Sequence, residues 1–510
     1  MRRNLIVGFS CAFVVTVTSG DRVTGASPVV QGEQAACGNL PKLQLPDVKV
    51  SESVSVPAVS VPAVTGGAGA VVRVPHCRVT GVIGSEIRFT LLLPDHWNKK
   101  FLMGGGGGFV GSISNQAQRF VNEGYASVGT DTGHQSPSNT DASWALDHLE
   151  RQLNFGYLAV HRTAEVAKAI LRSYYGEAAR RSYFFGCSNG GRQGLMEAQR
   201  FPDDFDGIVA GAPAADFVGI ATQFVKDSQA AFPNASSLTP MFTPDVLKSV
   251  ETQILDTCDA LDGVKDGVME DPRRCTVDPG TLTGLTDPQR TVLKRIYSET
   301  AARGTSIYPA QPVGGEGQDG GWGAWITGSP KPPVPNGPSL RFAFGTQFFK
   351  YFVFNDPNWD YTRYEIANAL TDAKRAGQIL NATNADLSAF KAKGKKLIVW
   401  HGWSDPALTA LAIVRYHEQV LQRDAAAADY FRLFLMPGVL HCGGGPGPDT
   451  VDWPAAIEDW VENGKAPTRV IARKVVKNAT TRTRPLCVFP QKADYKGSGS
   501  TDDEASFVCK

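Results

Sequence analysis

Tyr183-Phe184-Phe185-Gly186-Cys187-Ser188-Asn189-Gly190-Gly191-Arg192 is the stretch from which the rest of this chain is read. Aromatic residues suited to a buried strand run into the small residues Gly186 to Gly190. Gln193-Gly194-Leu195-Met196-Glu197-Ala198 follows with helix-forming composition. The pattern G-x-S-x-G predicts a strand, one sharp turn and a helix, with Ser188 at the apex. Flanking glycines permit such a turn because a Cβ there would meet neighbouring backbone. The serine hydroxyl then stands above the strand end with a helix N-terminus aimed at it, which suits a nucleophile.

A serine nucleophile needs a base, and the base needs a group to orient it. Asp405 lies in His401-Gly402-Trp403-Ser404-Asp405-Pro406, just after the buried-strand pattern of residues 395–400. His441 lies in Pro437-Gly438-Val439-Leu440-His441-Cys442-Gly443-Gly444-Gly445, just after a second such pattern at 430–436. The order Ser188, Asp405, His441 is that of α/β-hydrolases, and each residue falls at a strand end. His134, His148, His161 and His401 are rival bases; His401, at a strand end, is expected to line the pocket. Cys187 precedes the serine and Cys442 follows the histidine. A bridge between them would tie the nucleophile turn to the base loop, worth about 5 kcal/mol by loop-closure entropy.

Outward from these residues the same fold class is legible. Residues 87–93 and 101–103 read as strands, and the five glycines Gly104 to Gly108 follow directly. A glycine run after a strand is where backbone N–H groups of a hydrolase face the substrate carbonyl oxygen. Residues 125–131 read as a further strand. Leu158, Val160, Ala164, Val166, Ala167 and Ile170 give residues 157–175 helical periodicity. Residues 206–213 read as strand and turn, and 410–421 as a helix. Residues 54–64, β-branched alternation broken by proline, read as an edge strand or extended linker. Between 216 and 389 the strand–helix alternation is lost, and a Gly/Pro-rich section at 309–338 is followed by an aromatic one. The expectation is an α/β-hydrolase fold with a large inserted lid domain: 27–215 as its first part, 216–389 as the lid, and 390–510 as its second part.

Composition sets the class of partners. The 510 residues carry 51 basic and 50 acidic side chains, a net charge of +1, so neither nucleic acid nor another polyelectrolyte is implied. Arg2 and Arg3 precede an apolar run to about Thr18, and small residues continue to Ala26. This pattern predicts a signal peptide over 1–26 and a secreted or periplasmic protein with no membrane span. Of nine cysteines, Cys11 lies in that run, and the remaining eight are an even number. In an exported chain they favour disulfides, with roughly a hundred possible pairings. Asn234, Asn381 and Asn478 stand in N-x-S/T context.

A second constellation is Cys258-Asp259-Ala260-Leu261-Asp262-Gly263-Val264-Lys265-Asp266-Gly267-Val268. Closely spaced carboxylates with glycines between them suit a hard cation such as calcium, although the spacing is not that of an EF-hand. Such an ion, bracketed by Cys258 and Cys275, would be structural.

Taken together, Gly186 to Gly191, Asp-Gly-Ile-Val-Ala-Gly-Ala-Pro at Asp206 to Pro213, the aspartate loop, His401 to Asp405, His441 to Gly445 and Lys496-Gly497-Ser498-Gly499 resemble the tannase and feruloyl esterase family. That family includes feruloyl esterases, fungal tannases and mono(2-hydroxyethyl) terephthalate hydrolase. The resemblance implies Ser188 as nucleophile, His441 as base, Asp405 as its partner, and backbone N–H groups of Gly105 and Asn189 as oxyanion hole. It implies a structural Ca2+ held by Asp259, Asp262 and Asp266 side chains and Val264 and Val268 carbonyls. It implies the disulfides Cys37–Cys77, Cys187–Cys442, Cys258–Cys275 and Cys487–Cys509. The expected activity is a serine carboxylesterase acting on small aromatic esters, free or carried on plant polysaccharide, with feruloyl esters foremost and galloyl esters or terephthalate monoesters as alternatives. A silent binding protein for phenolics or polysaccharide is the alternative of a different class. A terephthalate-type site calls for a lid arginine near Thr346, and Arg341 is out of register with it. Trp322, Trp325, Phe342, Phe344, Phe348 and Tyr351 suit a flat phenolic acyl group.

Overall fold

The computed structural model describes residues 36–59, 71–329 and 336–510. The expected leader over 1–26, the end of the 54–64 stretch and part of 309–338 lie outside the described residues.

Strands β1 (Val48–Val56), β2 (His76–Ile83), β3 (Ile87–Pro94), β4 (Lys100–Gly104), β5 (Ala126–Thr130), β6 (Arg181–Cys187) and β7 (Gly207–Gly211) come from the first part of the chain. The inserted segment makes its own short hairpin, β8 (Thr300–Ala302) and β9 (Thr305–Tyr308), before β10 (Lys396–Gly402) and β11 (Phe431–Met436). One nine-stranded sheet results, in the order β1-β2-β3-β5-β4-β6-β7-β10-β11. The pairs from β1 to β5 across β2 and β3 are antiparallel, and those from β5 through β4, β6, β7 and β10 to β11 are parallel.

The parallel strands are covered on both faces, so their sequences are continuous apolar runs rather than alternating ones. Phe101 and Met103 of β4 pack into a core with the helices Ala159–Tyr175, Asn189–Arg200 and Ala410–Arg423. Leu102, between them, packs to the other side with Trp453, Ile457 and Trp460 of the helix Trp453–Asn463. This three-layer α/β arrangement is the fold class expected from the sequence. It carries the C-terminal ends of β6, β10 and β11 to one edge of the sheet, where open α/β sheets bind ligands.

The inserted segment contributes the helices Phe217–Ala231, Pro244–Cys258, Asp287–Ile296 and Leu340–Phe348. Their apolar faces close a second cluster with Trp322, Phe349 and Phe352, completed by Phe109, Trp144 and Phe155 from loops of the first part. The helix expected over 157–175 begins at Ala159, because a π-helical turn, Asn154–Leu158, precedes it. That turn lends the carbonyls of Phe155 and Gly156 to the buried Arg192 guanidinium at 3.0 and 2.8 Å.

Beyond the sheet, β12 (Arg469–Val476) and β13 (Ala479–Cys487) form a hairpin, and β14 (Ala493–Tyr495) pairs with β15 (Phe507–Cys509). All four disulfides implied by the resemblance are present: Cys37–Cys77, Cys187–Cys442, Cys258–Cys275 and Cys487–Cys509. No helix among the described residues is long and apolar enough to cross a membrane.

Candidate active site

β6 ends at Cys187 and the next helix begins at Asn189, so the turn between them is Ser188 alone. Its φ of 65° and ψ of −125° lie in a region that L residues occupy only under constraint. Three backbone bonds impose it: Ser188 N–H donates to Gly211 O at 3.0 Å, and Ser188 O accepts from Arg192 N–H at 3.0 Å and Ala214 N–H at 3.1 Å. The glycines are required by proximity. A Cβ on Gly186 would lie 2.6 Å from the Gly190 carbonyl, and one on Gly190 would lie 2.5 Å from Gln116 Oε1.

Asp405 follows the end of β10 and is fully buried. Its Oδ1 accepts from the N–H groups of Ala407 at 2.8 Å and Leu408 at 2.9 Å, and its Oδ2 lies 2.8 Å from His441 Nδ1. Burial pushes this carboxyl up, but the charge and hydrogen bonds of His441 and His401 outweigh it and hold it well below the usual carboxylate range. With Nδ1 engaged as donor to a carboxylate, His441 keeps Nε2 as the acceptor for a substrate-side proton. The Trp325 ring stands edge-on to His441, with centroids 4.9 Å apart.

Ser188 and His441 line one cavity. Their immediate neighbours Cys187 and Cys442 are bonded across 255 positions, with Cα atoms 6.0 Å apart. Among the described residues the Ser188 hydroxyl has no hydrogen-bond partner. Such bonds tighten when substrate binds.

His401 does not line the cavity. It is buried beneath Asp405, its Nε2 lying 3.1 Å from Asp405 Oδ2 and 3.0 Å from Leu408 O. Both neighbours are acceptors, so Nε2 carries the proton, and Nδ1 is buried without a partner. It is a second brace on the aspartate rather than a rival base. Burial lowers the His134 pKa to about 4, and that ring stacks on Trp144 at 3.5 Å with Nε2 2.9 Å from Phe109 O. His161 is tied to Asp204, and neither it nor His148 reaches the cavity.

The glycine loop departs from expectation at one position. Gly105 N–H donates to Phe185 O at 2.9 Å, extending the β4–β6 ladder, and Gly105 is absent from the cavity wall. Its N–H is therefore not the expected oxyanion donor. The loop leaves the sheet one residue later: Gly106 N–H donates to Gln193 Oε1 at 3.1 Å, and Asn189 Nδ2 donates to Gly106 O at 3.2 Å. Gly107, which does line the cavity, has no acceptor for its N–H among the described residues. Asn189 N–H, first in its helix and also at the cavity, is likewise uncommitted.

The cavity has a volume of about 290 Å³. Phe217, Ile220, Phe224, Trp325, Phe344 and Phe348 of the inserted segment form its apolar wall, with Gln116 and Asn139 as polar groups and, among the described residues, no lysine, arginine, aspartate or glutamate. Of the aromatic residues expected there, Trp322 and Phe342 lie in the core instead, and Tyr351 borders a separate cleft. Arg341 is fully buried and faces away. It pairs with Asp227, donates to Pro406 O at 2.9 Å and to Gln311 Oε1 at 2.6 Å, and Gln311 donates onward to Asp405 O at 2.9 Å. The arginine of the inserted segment thus braces the aspartate loop and offers nothing to a substrate carboxylate.

In the second constellation, Asp259 Oδ2 accepts from Gly267 N–H at 2.9 Å, and Asp262 accepts from Val264 N–H at 3.2 Å and Glu270 N–H at 2.9 Å. Asp266 pairs with the buried Arg484 of β13. Burial, and then the neighbouring carboxylates, push the Asp259 and Asp262 pKa values up. Asp259 Oδ1 is buried with no hydrogen-bond partner, and no donor reaches the carbonyls of Val264 and Val268 among the described residues. Repelling carboxylates, an orphaned oxygen and free carbonyls are a donor set that fits a hard, oxygen-preferring cation.

The family model for tannase and feruloyl esterase matches residues 70–510. The chain is 35% identical over 545 aligned positions to an uncharacterized esterase of Xanthomonas campestris, covering 95% of this chain and 93% of that one. It is 33% identical to a mono(2-hydroxyethyl) terephthalate hydrolase of Piscinibacter sakaiensis, covering 85% and 84%. Among solved structures, feruloyl esterase B from Aspergillus oryzae superposes with a TM-score of 0.81 at 26% identity, over 93% of this chain and all of that one.

Proposed function

From the premise that this chain is an esterase belonging to the tannase and feruloyl esterase family, we propose that it is an exported serine carboxylesterase that cleaves hydroxycinnamoyl esters through an acyl-enzyme. The observation that carries this reading is the 2.8 Å bond between His441 Nδ1 and Asp405 Oδ2 at a cavity lined by Ser188. Ser188 Oγ attacks the ester carbonyl while His441 Nε2 takes its proton. The oxyanion is met by the N–H groups of Asn189 and Gly107, and His441 returns the proton to the leaving alcohol. Water then repeats the sequence on the acyl-enzyme. Residues 216–389 act as the lid that shapes the acyl pocket. The four disulfides support an extracytoplasmic site of action.

The apolar wall favours ferulate over the alternatives. Each phenolic hydroxyl buried without a partner costs about 1–3 kcal/mol. A galloyl group brings three such hydroxyls, whereas feruloyl brings one and a methoxy group. The free carboxylate of a terephthalate monoester would enter a cavity to which the described residues bring no lysine or arginine. We expect kcat/KM for methyl ferulate to exceed that for methyl gallate and for the terephthalate monoester by roughly tenfold or more. A preference for gallate in the same assay overturns the acyl assignment, and lack of labelling by a fluorophosphonate overturns the serine mechanism.

Asp259, Asp262, Asp266 and the carbonyls of Val264 and Val268 would hold a calcium ion. The ion neutralises the carboxylates and fixes the loop against Arg484 and Arg482 of β13. Removal by a chelator should lower Tm by a few degrees, since an ion at a hundredfold excess over its Kd stabilises by about 3 kcal/mol. kcat measured well below Tm should stay unchanged. A Tm indifferent to chelator, or equally sensitive in Asp262→Ala, contradicts the ion.

A further inference from the structure

We propose that His161, Glu197 and Asp204 form a second metal site, for a transition-metal dication such as zinc, on the helix that begins at the nucleophile turn. Glu197 lies on that helix, Asn189–Arg200, His161 on the helix Ala159–Tyr175, and Asp204 in the loop leading to β7. Their ligand atoms all lie within 4.8 Å of one another. Among the described residues no other trio of histidine, cysteine, aspartate or glutamate side chains converges so closely. The aspartate loop is looser, as suits the wider oxygen cage of calcium.

Glu197 is the observation that points to a ligand. It is 1% exposed, and among the described residues no donor is hydrogen-bonded to either carboxylate oxygen. A buried carboxylate must be paired, coordinated or neutralised. The nearby cation, Lys168, spends its ammonium on the backbone carbonyl of Asp204, and burial lowers its pKa. His161 Nδ1 lies 2.6 Å from Asp204 Oδ2, and its ring is held flat on Phe201 with centroids 3.9 Å apart. On its other edge, His161 Nε2 is 3.5 Å from Glu165.

One imidazole nitrogen and two carboxylate oxygens suit zinc, cobalt or manganese rather than calcium. The His161 side chain is 22% exposed, leaving a solvent-side opening for ion entry and for a water ligand. On binding, the ion takes the Nδ1 lone pair and one oxygen from each carboxylate. The His161 Nδ1 proton, which faces Asp204 Oδ2, leaves to solvent, so binding releases at least one proton. The ion joins three elements behind the nucleophile turn and is structural.

The test is calorimetric titration of the full chain with ZnCl₂ in excess Ca2+, which keeps the aspartate loop out of the measurement. One ion per chain is expected, with a binding enthalpy that varies with the ionisation enthalpy of the buffer. Glu197→Gln keeps the shape of the side chain, so its metal-free Tm should stay close to the parent. That variant and His161→Gln should each weaken Kd by at least about tenfold. Bound Co2+ should give a visible absorption band that Glu197→Gln abolishes. Zinc affinity equal in the parent and Glu197→Gln, no saturable zinc binding in the parent, or an enthalpy independent of buffer overturns the site and leaves a buried carboxyl pair that shares protons.

Discussion

Ser188→Ala is expected to lower kcat on an aryl ester by about 10⁶-fold and to leave Tm unchanged, whereas Ser188→Gly is expected to lose activity equally and gain stability. The two variants separate chemistry from strain. In the proposed mechanism both remove the nucleophile, so neither would form an acyl-enzyme. Alanine keeps a Cβ at φ 65° and ψ −125°, and so keeps the strain that the Gly211, Arg192 and Ala214 bonds impose. Glycine relieves a strain of about 1–3 kcal/mol, offset by about 0.5–1 kcal/mol of added unfolded-state entropy. A folded chain of this size shifts by about 1 °C per kcal/mol, so the net gain is a small rise in Tm, read by calorimetry. Turnover retained in Ser188→Ala removes the nucleophile assignment. A Ser188→Gly variant less stable than Ser188→Ala removes the account of the turn.

The parts of the molecule fixed by local chemistry were legible in the sequence. Ser188 is legible because a one-residue turn between strand and helix demands glycine around it. Asp405 and His441 are legible because each follows an apolar run short enough to be a buried strand. The pairing of Cys187 with Cys442 is suggested by adjacency to those residues. What escaped sequence reading depends on which atoms meet in space. Gly105 and Gly107 are indistinguishable in a run of five glycines. Only the ladder bond from Gly105 N–H to Phe185 O shows that the sheet pairing continues two residues further than the strand pattern does.

The place of His401, and the use to which Arg341 is put, depend in the same way on which atoms meet in space. A histidine at a strand end reads as pocket-lining, yet its ring turns inward to Asp405. Arg341, out of register in the sequence with a carboxylate-holding arginine, has its guanidinium used up by Asp227, Pro406 O and Gln311. Both brace the same aspartate loop, one from below the sheet edge and one from the inserted segment. The hairpin β12–β13 left a signal that could have been read. Lys477 and Asn478 both have positive φ, 49° and 66°, and an asparagine between two β-branched runs is a hairpin mark. The Asp266–Arg484 pair, by contrast, joins positions far apart in the chain and has no local signature.

Breaking the bridge between the nucleophile turn and the base loop is expected to have the largest effect on stability, and it should also cost activity. In Cys187→Ser/Cys442→Ser the closed loop spans 255 positions, and its release in the unfolded chain is worth about 5 kcal/mol, or roughly 5 °C in Tm. The loss of activity has a separate cause. Cys442 holds φ 62°, and Gly443, Gly444 and Gly445 after it hold φ values of 143°, 81° and 77°, so the loop beyond His441 has little intrinsic preference for its fold. Without the bridge, His441 keeps its bond to Asp405 but loses the covalent anchor on its C-terminal side. A displacement of about 1 Å between base and nucleophile lowers the rate by about a hundredfold. The expected result is therefore a large fall in kcat with little change in KM. Cys258→Ser/Cys275→Ser is the control. Its loop spans 17 positions, worth about 3 kcal/mol, and it touches neither Ser188 nor His441. That variant should lose stability and keep its kcat at temperatures below Tm. If both double variants keep parental kcat, the Cys187–Cys442 bridge is only a staple. If only the first loses it, the bridge sets the distance on which catalysis depends.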